Sequence, residues 1–66
     1  MFALYNYNTK KFFRLENQYR NNHEVNSFIM AKTYKTRKDA EYECTFIKGD
    51  YKVITFEEAK ELNILY

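Results

Sequence analysis

Apolar and polar positions alternate from the start of the chain. From Phe2 to Tyr7 a period of two puts Phe2 and Leu4 on one face and Ala3, Tyr5 and Tyr7 on the other. Asn8-Thr9-Lys10 is polar and turn-forming. Lys11 to Glu16 then alternates again, with Phe13 and Leu15 opposite Phe12 and Arg14. Two short aromatic-rich runs around a polar turn predict an antiparallel hairpin. The turn lacks glycine, which favours a loop longer than the two-residue primed turn. Asn17 to Asn26 is polar and reads as a loop. Ser27 to Tyr34 has strand composition and predicts a third antiparallel strand.

The period changes after Tyr34. Ala40, Cys44 and Ile47 recur at i, i+4 and i+7, the spacing of one buried helical stripe, with Glu41 and Glu43 off it. Thr36 can cap the first turn, with Asp39 three residues on as a weak variant of the capping box. A helix is predicted from Arg37 to about Lys48, ended by Gly49, the only glycine. Tyr51 to Phe56 is rich in β-formers. Thr55 and Glu58 form a better capping box, opening a short helix from Phe56 or Glu57 to about Leu62, with Ala59 and Leu62 facing inward. The expected architecture is one α+β domain over residues 1–66, in the order β-β-β-α-β-α. It consists of a small antiparallel sheet, one main helix on one face and a short C-terminal helix. The strand after the main helix either pairs parallel with an earlier strand or lies at the sheet edge.

Composition narrows what such a domain can do. At 66 residues there is one core, near the lower limit for unaided folding. Cys44 is the only cysteine and His23 the only histidine, so neither an internal disulfide nor a four-ligand zinc site is available. Packing must supply the stability, and six Phe and seven Tyr are the material for it. No apolar stretch approaches the roughly 20 residues that span a bilayer, so no membrane partner is expected. A lone thiol and an N-terminus without the basic start and apolar run of a signal peptide imply a cytoplasmic location. The favoured residues Lys, Asn, Tyr, Phe and Ile have AT-rich codons. That points to an AT-rich genome, such as a Gram-positive bacterium, its phage or a mobile element.

Catalytic chemistry is not in evidence along the chain. His23 beside Glu24 falls in the polar stretch and reads as an exposed loop pair. Cys44 falls on the inner helical stripe, where a free thiol packs as a small apolar group. Glu57, Glu58 and Glu61 flank a helix start, where acids favour the macrodipole. A single glycine cannot build a phosphate loop. No cofactor is expected, and a non-enzymatic binding protein is the favoured class.

Charge says more through its distribution than through its net value of +2. Residues 1–38 hold eight Lys or Arg against two Glu, whereas residues 39–66 hold three Lys against seven Asp or Glu. Lys32, Lys35, Arg37 and Lys38 crowd the start of the main helix, where the macrodipole disfavours cations but a phosphate would be welcome. Lys10, Lys11 and Arg14 lie beside Tyr5, Tyr7 and Phe12 on the hairpin and could give a basic, aromatic face for unpaired bases. The same residues also suit a solvated outer sheet face.

The stretch Lys32-Thr33-Tyr34-Lys35-Thr36-Arg37-Lys38-Asp39-Ala40-Glu41 resembles the strand-to-helix junction of small three-stranded nucleic-acid-binding domains. Examples are the arm-binding domain of tyrosine-type integrases and the N-terminal domain of some ribonucleases H. The likeness covers about ten residues of 66 and implies a sheet backed by a helix, with nucleic acid as a partner.

Two functions compete on these grounds. The first is a phage- or mobile-element-type modulator that docks on a host or partner protein, with Tyr5, Tyr7, Tyr19, Arg14 or Arg20 as interface anchors. The second is a nucleic-acid-binding module using Lys10, Lys11, Arg14, Lys35, Arg37 and Lys38. The second requires those cations to share one face. A homo-oligomer paired through an exposed strand edge is a third arrangement.

Overall fold

A computed structural model describes residues 1–15 and 22–66. Strand β1 (Phe2–Asn6) and strand β2 (Lys11–Leu15) form the predicted hairpin, paired through Tyr5↔Phe12 and Asn6↔Lys11. The loop between them is four residues long. The Asn6 side chain organises it, its Oδ1 accepting from the Asn8 and Thr9 amides at 2.9 and 3.1 Å. With no glycine to take the left-handed position, Lys10 takes it at φ 62°.

The third strand differs from expectation. Strand β3 is His23–Val25, inside the stretch read as a loop, and pairs antiparallel with β2. Ser27 to Tyr34 is not a strand. Phe28–Met30 is a 3-10 turn, and the rest is irregular as far as Tyr34. The reason lies in the C-terminal tail, whose Ile64 and Leu65 carbonyls accept from the Phe28 and Ile29 amides at 3.0 and 3.1 Å. Tyr34 alone bridges to Phe2, exchanging backbone bonds of 3.0 and 2.8 Å.

Helix α1 is Arg37–Cys44, with the Thr36 hydroxyl accepting from the Asp39 amide at 3.1 Å. It stops four residues short of Lys48. Thr45 and Phe46 tighten the chain through bonds to the carbonyls of Tyr42 and Glu43, at 3.3 and 3.0 Å. Gly49 therefore does not end the helix. It shapes the connection to strand β4 (Tyr51–Thr55) at φ 126°. Helix α2 (Phe56–Glu61) follows directly from Thr55, with both halves of the capping box formed. Ala59 is buried as expected, but Leu62 faces outward.

All pairings are antiparallel and the sheet order is β3-β2-β1-β4. The strand after α1 thus settles at the edge, beside β1. Alternation along the strands builds two cores. Ala3, Tyr5, Phe12 and Ile54 pack with Phe28, Ala59 and Leu65, from the 3-10 turn, α2 and the tail. Leu4, Phe13 and Tyr51 pack with Tyr34, Ala40 and Ile47 beneath α1. Both faces of the sheet are covered, and this decides where a binding surface can be. None of the helices is long and apolar enough to cross a membrane among the described residues.

Candidate functional site

Helix α1 turns Ala40 and Cys44 toward the sheet, where Ile47 joins them from beyond its end, so residues on its opposite side must face solvent. Lys38 and Tyr42 lie there at i and i+4, Phe46 follows in the turn after α1, and all three are exposed. Tyr42 and Phe46 are 69% and 65% exposed and meet edge to face with ring centroids 5.0 Å apart. Solvated single apolar residues are ordinary. Two aromatic rings presented side by side on one ridge are a more specific feature. The sequence holds a signal for them, an aromatic pair at i, i+4 just off the buried stripe.

The anchors expected from sequence are placed apart. Tyr5 is 5% exposed and sits in the core against Phe12 and Tyr7, with ring centroids 4.7 and 4.8 Å away, so it cannot meet a partner. Phe12 is fully buried. Tyr7 is exposed at the hairpin tip. Tyr19 and Arg20 lie outside the described residues.

The cations also divide. Lys10 and Lys11 lie at the Asn6 end of β1, whereas Arg37 sits over the Phe2 ring at the other end, 5.2 Å from its centroid. Five strand residues separate those ends by roughly 13 Å. Arg14 donates to the Met30 carbonyl in the 3-10 turn, which covers the sheet face opposite α1. Lys32 pairs with Glu43 at 2.7 Å. Lys35, Arg37 and Lys38 remain together at the start of α1.

The sheet edge offers little. The Phe56 amide donates to the Met1 carbonyl at 3.1 Å, which fixes the register so that the Tyr51, Val53 and Thr55 backbones face outward from β4. Of these, the Tyr51 carbonyl accepts from the Cys44 thiol at 3.3 Å, and the Thr55 amide donates to Glu58 at 2.9 Å. Only Val53 presents both its groups, at a groove of about 400 Å³ between α1 and β4. At the other edge β3 is three residues long. Short or occupied edges resist strand addition.

The titratable groups have structural surroundings. Burial, and then the nearby Glu41 charge, raise the Cys44 thiol above its ordinary value, which disfavours the reactive thiolate. Burial, and then the Glu43 charge, raise the Tyr34 hydroxyl, whose oxygen is buried and, among the described residues, within reach of Glu43 without a well-formed hydrogen bond. Glu24 accepts from Tyr51 and Thr9 at 2.7 and 3.1 Å, while its neighbour His23 is exposed on β3. Among the described residues no three His, Cys, Asp or Glu side chains gather as metal ligands. Comparison with known proteins finds no matching family model, curated protein or solved structure.

Proposed function

We propose that this chain is a small non-enzymatic binding domain that docks on another protein through the outer face of α1. The Tyr42–Phe46 pair is the observation that carries this reading. Covering the exposed parts of both rings would remove roughly 250 Å² of largely apolar surface, worth about 6 kcal/mol before the costs of association. Those costs are about 4–15 kcal/mol, so the two rings are a hot spot that needs neighbours rather than a whole interface. On α1, Lys38 and Asp39 lie one turn before Tyr42, with Glu41 and Glu43 on either side of it. The composition points to an AT-rich genome, and if the source is a phage or mobile element a host protein is the natural partner.

Nucleic acid is the weaker reading. It drew on a shared basic and aromatic face, yet Tyr5 and Phe12 are core residues, and Lys10, Lys11 and Arg14 lie away from Lys35 and Lys38. Self-pairing through a strand edge is disfavoured by the occupied groups on β4 and the shortness of β3.

Affinity capture from a lysate of an AT-rich Gram-positive host tests the proposal. A protein retained by the wild type and lost with the Tyr42→Ser/Phe46→Ser double variant is the expected result. A protein retained equally by both would remove α1 as the docking face.

A further inference from the structure

We draw no further inference here: the strongest candidate, the polar cavity of about 260 Å³ between the hairpin loop, β3 and the connection from α1 to β4, carries nothing, because its Asn6, Thr9, Asn22, Glu24 and Tyr51 side chains are already bonded within the fold and nothing in the structure shows what would occupy it.

Discussion

The hydroxyl of Tyr51 donates to Glu24 Oε2 at 2.7 Å, and so joins the two outermost strands of the sheet. Tyr51 belongs to β4 and Glu24 to β3, with β1 and β2 lying between them. The Tyr51 ring crosses that distance packed edge to face on Phe13, centroids 5.7 Å apart. Thr9, in the hairpin loop, donates to the same carboxylate oxygen at 3.1 Å. One carboxylate therefore ties three segments that are remote in sequence. Tyr51→Phe removes the bond and keeps the ring. A hydrogen bond to a charged acceptor is worth about 1.5–3 kcal/mol, and partial solvation of Glu24 places this one near the lower figure. At about 4–8 °C per kcal/mol for a domain of this size, the melting temperature should fall by roughly 6–12 °C. Thermal melts followed by circular dichroism decide it, and an unchanged midpoint would mean the bond contributes nothing.

The same contact sets an alkaline limit. Burial, and then the bond to Glu24, push the Tyr51 hydroxyl from its ordinary 10 up to about 12. Because the folded value is the higher one, the stabilisation is complete below pH 10 and is lost as the pH rises through about 12. The wild type should lose stability across that window more steeply than Tyr51→Phe. Tyr34 is also raised but is present in both proteins, so the difference isolates Tyr51. Denaturation midpoints at about pH 9 and pH 11.5 test this, and parallel losses in the two proteins would count against it.

Gly49 is placed to disturb that ring. Its φ of 126° suits glycine, and a Cβ there would stand 2.7 Å from a Tyr51 ring carbon. Gly49→Ala should cost about 1–3 kcal/mol from backbone strain, with further loss from the displaced ring. A spectrophotometric titration of the tyrosines adds a direct readout, since displacing Tyr51 from Glu24 should move its ionisation earlier. A variant with wild-type stability and titration would show that this connection is looser than its geometry indicates.

How far the sequence spoke depends on how local each signal was. The hairpin, the main helix and the Thr55–Glu58 capping box were legible because each is written within a few adjacent residues. The segment Phe28-Ile29-Met30 was misread because its composition suits a strand, whereas its hydrogen bonds go to Ile64 and Leu65 at the far end of the chain. Strand β3 was hidden by polar residues, its pairing being set by β2 rather than by its own propensity. For the site, Lys35, Arg37 and Lys38 are neighbours in sequence at the start of α1, but Arg37 turns over the Phe2 ring. Tyr5 was not a surface anchor, because a sheet covered on both faces hides rings that alternation alone leaves ambiguous. That second cover comes from the 3-10 turn, α2 and the tail, whose docking is a tertiary fact.

The contrast between buried and exposed rings yields the last prediction. Phe12 and Phe13 are neighbours in β2, yet they fill different cores on opposite faces of the sheet. Truncating either to Ala should cost about 3–5 kcal/mol. At roughly 0.05–0.15 kcal/mol per residue a chain this short holds about 3–10 kcal/mol in total, so each variant should be largely unfolded or close to it. Tyr42→Ser and Phe46→Ser remove rings of similar size from a solvated ridge, and each should change stability by only about 0.5 kcal/mol. Chemical denaturation of the four variants separates the outcomes. If Tyr42 and Phe46 behave as spare by this measure, the fold does not depend on them and both rings are free to meet a partner. A loss of several kcal/mol at either ring would instead place it in the packing and remove the basis for α1 as a docking face.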